Sequence, residues 1–439
     1  MKQEKLLISI LLVVLCLGAW YQTFAGTASK NQKEYQQSIA AASEYMDRGL
    51  YQKAAEEYKK ALAIEDSEKV WSELLSAYAN RYKEDERVYD EYLDAAKQAV
   101  AAHGKNAKFV LTLSKLYTDT EEYEEAFKCI QKAIEDGAKS KKLSAALEEL
   151  RYGYELEWKS YRAYLTNTFG YYAVKDNEEW KYLNLEGNED KSGPFTYAGK
   201  AGQSGIRLVA YKDRTELIDG NGVVQGKLDF APTDSRMPSE GYCIVNNGKS
   251  FTVYSQLGDK KFGSYEDAST VLGGTLAVKQ DGVWSIIDLE EKPVNKHKYS
   301  DIKLSVGDTY ALNGIMIAKE DKGYALYDNN YEKIGDFSAD DMDCYTGNGY
   351  IAFCQNGKWG YVDTDGKVVI KPKYESAKSF ANGLAGVCVD GKWGFINMNG
   401  KMVIDPVFLD VGYFNEKGKC MVSPGANVWQ LLSLNIWTE

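Results

Sequence analysis

Proline is scarce in this chain, with 7 residues in 439, and histidine scarcer still, with His103 and His297 alone. Any histidine-based active site or zinc cage would have to be built from those two. Cysteine is present but unpatterned: Cys16, Cys129, Cys243, Cys344, Cys354, Cys388 and Cys420 form no Cys-x-x-Cys pair. An odd count in a long chain does not describe a disulfide framework, and buried free thiols are expected. There is no excess of positive charge, Lys plus Arg being 53 against Asp plus Glu at 64, and no basic run. A nucleic-acid partner is therefore not expected.

The motifs of catalysis are missing as well. There is no Gly-x-Ser-x-Gly elbow, phosphate loop, His-Glu-x-x-His or dinucleotide fingerprint, and Gly202-Gln203-Ser204-Gly205 fails the first by one residue. Asp363-Thr364-Asp365-Gly366 and Asp340-Asp341-Met342-Asp343 place carboxylates densely enough for Ca²⁺. The first occupies a position that reads as a turn throughout the repeat described below, so a solvated hairpin turn is the better reading. His103, beside Gly104, reads as a helix C-cap, and His297 as an exposed residue. No enzyme activity, cofactor or metal is expected.

What is present is organisation. Lys2 and Lys5 precede an uncharged stretch from Leu6 to Phe24, with Trp20 and Tyr21 at its far end. That is close to a membrane-spanning length, and the flanking charge orients the rest of the chain outward. Residues 1–29 are thus a signal-anchor, giving a single-pass protein with its C-terminal body outside the cell. The alternative is a signal peptide cut after Thr23-Phe24-Ala25, giving a secreted protein.

From about Ser38 the apolar spacing turns helical and recurs. Ala54, Tyr58, Ala61 and Leu62 share one helical face after Leu50-Tyr51, Ala126, Ile130, Ala133 and Ile134 share another after Tyr123, and Tyr89, Tyr92, Ala96, Ala99 and Val100 give a weaker copy between. The pattern resembles the tetratricopeptide repeat, with its period of about 34. It predicts a short helical solenoid over residues 30–165, closed by one capping helix from Lys142 to Leu165. The resemblance implies a protein or peptide partner, with Ala54, Tyr58, Ala61, Ala126 and Ala133 as the candidate interaction groove. A plain spacer is the competing reading.

From Gly170 glycine, tyrosine, valine and turn pairs take over. Eight units can be anchored at Trp180, Thr215, Phe251, Trp284, Tyr324, Trp359, Trp393 and Trp429, with spacings of 35, 36, 33, 40, 35, 34 and 36. Ten residues before the anchor stands a glycine in seven units, and eleven before in the eighth. About fifteen after it stands an aromatic in the first seven: Phe195, Phe230, Tyr265, Tyr299, Phe337, Tyr374 and Phe408. Within the unit at Trp393, Leu384, Gly386 and Cys388 predict a first strand, Asp390-Gly391 a hairpin turn, Trp393 to Asn397 a second strand, and Met402 to Ile404 a third, ended by Pro406.

The units at Trp359-Gly360 and Trp393-Gly394, with their Gly-Lys-Trp-Gly cores, resemble the bacterial WG-repeat family. That resemblance implies a β-rich non-catalytic module over residues 166–439, with Trp180, Trp284, Trp359, Gly360, Trp393, Gly394 and Trp429 as structural anchors. Such units must stack to bury their faces, and eight of them predict a closed propeller, an open β array being the alternative. The chain thus reads as a multidomain α-then-β protein: a transmembrane helix, a helical solenoid and an all-β repeat domain. The expected function is a membrane-anchored, cell-surface interaction scaffold. The alternative is a binder of cell-wall glycan through exposed aromatics.

Overall fold

A computed structural model describes residues 29–320 and 323–437. The apolar segment at residues 6–24, read above as an anchor, lies outside the described residues. Among those that are described, no helix is long and apolar enough to cross a membrane. The chain divides into two compact units between Arg151 and Tyr152.

The first unit is helical. Residues 29–47 form α1, followed by α2 (Tyr51–Ile64), α3 (Glu68–Glu84), α4 (Tyr89–Ala102), α5 (Ala107–Asp119), α6 (Tyr123–Glu135) and α7 (Lys141–Tyr152). Successive helices pair as hairpins around small residues: Ala42, Ala54, Ala61, Ala96 and Ala99 are all fully buried. Alanine at these points lets helix axes approach, and the rings of Tyr58, Tyr78 and Tyr92 fill the space behind them. The irregular stretch after Lys83 forms a 3-10 turn, Glu86–Val88. Tyr92, standing where the pattern has alanine, stacks on Tyr78 with ring centroids 6.1 Å apart.

The capping helix is shorter than the sequence predicts, and the boundary at 165 moves with it. α7 stops at Tyr152, and β1 (Tyr154–Tyr161) and β2 (Ala163–Thr168) follow. Tyr154, Trp158, Tyr161 and Leu165 fit a helical spacing of three and four. Yet Tyr154-Glu155-Leu156-Glu157-Trp158-Lys159 also alternates with period two, and Gly153 breaks the helix before it begins.

The second unit is an eight-bladed β-propeller. Each blade opens with an innermost strand, of six residues in the first blade (β2) and two or three in the others, such as Ser376–Ala377, followed by an antiparallel series stepping outward: Leu384–Val389, Lys392–Asn397 and Met402–Phe408. The innermost strand is not predicted by the sequence pattern, which gives three strands per unit. Two or three residues carry no periodicity of their own. Pro406 does not end the outer strand either; it sits where the register between Trp393↔Phe408 and Phe395↔Ile404 shifts, on an edge that needs no donor. The recurrent glycine ten or eleven residues before the anchor has positive φ in every unit, as in the Asn382-Gly383 hairpin turn at φ 50° and 82°.

The ring is closed, which excludes the open array. The eighth blade is built from both ends of the domain, in the order β1, Val428–Leu434, Lys419–Gly425, Asp410–Val411. Strand β1 supplies the outer strand that the C-terminus lacks. Trp429 therefore faces Tyr161, just as Trp359 faces Tyr374 and Trp393 faces Phe408 in their own blades.

Candidate functional site

The residues singled out in the sequence go to two places. Ala54, Tyr58, Ala61, Ala126 and Ala133 are at most 4% exposed. They form the inter-helix core and offer no side chain to a ligand, so they do not line a groove. The reason is geometric: alanine on a helix face marks close approach by a neighbour rather than an open surface. One concavity of this unit lies at the α1–α2 turn and the end of α3. There Leu50, Lys53, Glu56, Arg81, Asp85 and Val88 line a cavity of about 510 Å³.

The repeat anchors pack within the blades. Trp284 is 2% exposed, whereas Trp180, Trp359, Trp393 and Trp429 are half-buried. Gly360 and Gly394 are buried because the outer strand passes directly over them. A Cβ on Gly360 would lie 2.5 Å from the carbonyl oxygen of Ile370 and 2.6 Å from the nitrogen of Pro372. On Gly394 it would meet Ile404 and Pro406 in the same way. Asp363 caps its own turn, Oδ1 accepting from the backbone N–H of Asp365 (3.1 Å) and Lys367 (2.8 Å). His103 ends α4 and lies 3.1 Å from Asp66. His297 stacks on Tyr299 and lies 3.4 Å from Glu320.

A constellation missed in the sequence lies at the propeller axis. The innermost strands of the third, fifth and seventh blades are followed or ended by a cation that reaches the next blade's aspartate: Arg236 to Asp267 at 2.5 Å, Lys303 to Asp341 at 3.0 Å, Lys378 to Asp410 at 3.9 Å. Each cation also sits over its own blade's anchor ring, Phe251, Tyr324 and Trp393 respectively. The fifth blade adds a longer inner loop, which carries Asp308. Lys200 of the second blade donates to Asp308 Oδ1 (2.6 Å) and to the carbonyl of Val306 (2.9 Å). Blades two and five are three steps apart in the ring, so this contact crosses the central channel. Asp308 Oδ2 also accepts from the N–H of Met237 in the third blade.

A second bridge joins the other side. Asp343 of the sixth blade accepts from Tyr413 of the eighth (2.7 and 2.9 Å) and from the N–H of Ser379 of the seventh (2.6 Å). Cys344 lies 3.3 Å from the Tyr413 hydroxyl. Burial pushes the Cys344 thiol up to about 12. Burial, followed by the Asp343 charge, pushes the Tyr413 phenol well above its ordinary value. Both stay protonated at neutral pH, so neither is an activated nucleophile. The axial groups satisfy one another and tie the blades together around the axis. The one sequence signal for them was the spacing of 40 between Trp284 and Tyr324, which is the longer inner loop of the fifth blade.

No curated protein matches the chain. Among solved structures, the AfRom2 CNH domain is similar at 9% identity and a TM-score of 0.35, over 65% of this chain and 98% of that one. Two extracellular-domain structures from B. thetaiotaomicron, from a hybrid two-component and a one-component system, are similar at 8% and 7% identity. Their TM-scores are 0.36 and 0.35, over 65% of this chain but only 43% and 42% of theirs. The family model for the WG containing repeat matches residues 359–393 and 393–423. The chain is a helical region followed by an eight-bladed β-propeller that carries WG repeats.

Proposed function

We propose that the protein is a non-catalytic interaction scaffold whose helical hairpins form a tetratricopeptide-type module for a protein or peptide partner. In this reading residues 6–24 hold it in the membrane and the body faces outward, as the order of Lys2, Lys5 and the apolar run suggests. The observation that carries the binding role is the cavity between the α1–α2 turn and the end of α3. It combines apolar Leu50 and Val88 with charges of both signs, Lys53 and Arg81 against Glu56 and Asp85. A peptide side chain could be seated there and its backbone oriented by the charges. The axial groups support a non-catalytic role, since each is already engaged within the ring.

The test is capture from native membranes with full-length protein, followed by the same capture with Arg81→Glu and Leu50→Asp. A partner retained by the parent and lost in both variants supports the reading. A partner held equally by all three places binding elsewhere. Glycan binding across many exposed aromatics has less support. Among the described residues the exposed aromatics are Trp158 and Phe169, and the others are half-buried or buried.

A further inference from the structure

Trp158 is 85% exposed, although it lies in a strand that is otherwise built into the ring. The pairing of β1 with the last strand shows how. Leu156 faces Leu432 and Ser160 faces Gln430, so residues 157–159 oppose Leu431 alone. Such a bulge re-aims a side chain at a fixed point of a sheet. Both flanks of this one are pinned. Glu157 turns inward, its carboxylate 2.9 Å from Lys419 and its carbonyl accepting from Gln430 at 3.1 Å. Lys159 is tied to Glu189 at 3.0 Å and lies 5.7 Å from the indole centroid. Glu189 in turn is 3.9 Å from Lys181, which pairs with Asp176 at 3.1 Å. A flat apolar ring thus stands out from a band of alternating charge, held by groups that belong to the closure of the propeller.

We propose that Trp158 is the stacking surface of a saccharide-binding site, distinct from the helical cavity. The chemistry of the flanks favours this ligand. An apolar partner covering Trp158 would also have to strip water from Lys159, Glu189 and Lys181, which opposes its binding. A sugar ring offers C–H groups to the indole face and hydroxyls that both donate and accept, so it uses the lone pairs of Glu189 and the N–H groups of Lys159 and Lys181 while leaving them partly in water. The protruding position suits one ring of a chain rather than an enclosed small molecule.

Full-length protein is titrated with cellohexaose, chitohexaose and a leucine-rich amphipathic peptide, read by calorimetry. Saturable binding of at least one oligosaccharide is expected, weakened about tenfold by Trp158→Ala and retained in part by Trp158→Phe. The melting temperature of Trp158→Ala should match the parent, since the ring is exposed. The proposal is overturned if neither oligosaccharide binds saturably, if Trp158→Ala binds like the parent, or if only the peptide binds and does so through Trp158.

Discussion

Gly360 and Gly394 show what the Trp-Gly pair is for at the scale of single residues. The outer strand lies so close that the obstacle to a side chain is backbone, which cannot swing aside. Gly360→Val should lower stability by about 1–3 kcal/mol, the usual range for overpacking, read as a fall in denaturant midpoint. The tryptophans beside them are half-buried, so their truncation should cost less than that of a fully enclosed ring. Trp284→Ala, at 2% exposure, should lose about 3–5 kcal/mol, and Trp359→Ala clearly less. Equal losses would mean that the anchor does the same work in every blade, contrary to these environments. The glycines and the aromatics about fifteen residues after the anchor were legible in the sequence because each recurs at a nearly constant offset, although Tyr324 faces Ala339 and Thr215 faces Leu228 rather than Phe337 and Phe230. The burial of an individual anchor was not, because it depends on which neighbour happens to cover it.

Among the elements, the closing strand and the long inner loop of the fifth blade carry the most. Tyr161 is 4% exposed opposite Trp429, and its hydroxyl has no partner among the described residues. Tyr161→Ala should therefore cost about 3 kcal/mol, whereas Tyr161→Phe should be neutral or slightly stabilising, as thermal melts would show. Asp308→Ala removes the partner of Lys200 and an acceptor for the Met237 N–H, and should cost about 3–5 kcal/mol. Replacing both members, Lys200→Met with Asp308→Leu, should recover part of that loss. The repeating blade pattern could be read from the chain, since strands joined by short hairpin turns keep a nearly fixed spacing. The axial bridges could not. Lys200, Asp308, Asp343 and Tyr413 lie on different blades and meet only once the ring is closed, leaving a single irregular spacing as their trace. The closing strand was hidden for a different reason: its apolar residues satisfy both a helical and a strand period.

For the whole molecule, closure decides where the chain can be divided. Residues 166–439 lack β1, the outer strand of the eighth blade, and part of the inner strand of the first, so this fragment should aggregate or melt far below residues 153–439. The propeller is thus completed by a segment that directly follows the last helix, with Gly153 alone between α7 and β1. The most direct test uses the full chain with Glu155→Cys and Ser433→Cys, positions that face one another across the closing pair. After mild oxidation and digestion, mass spectrometry should find the peptides around 155 and 433 joined. If both new thiols remain separately alkylable and no joined peptide forms, the ring is not closed by β1.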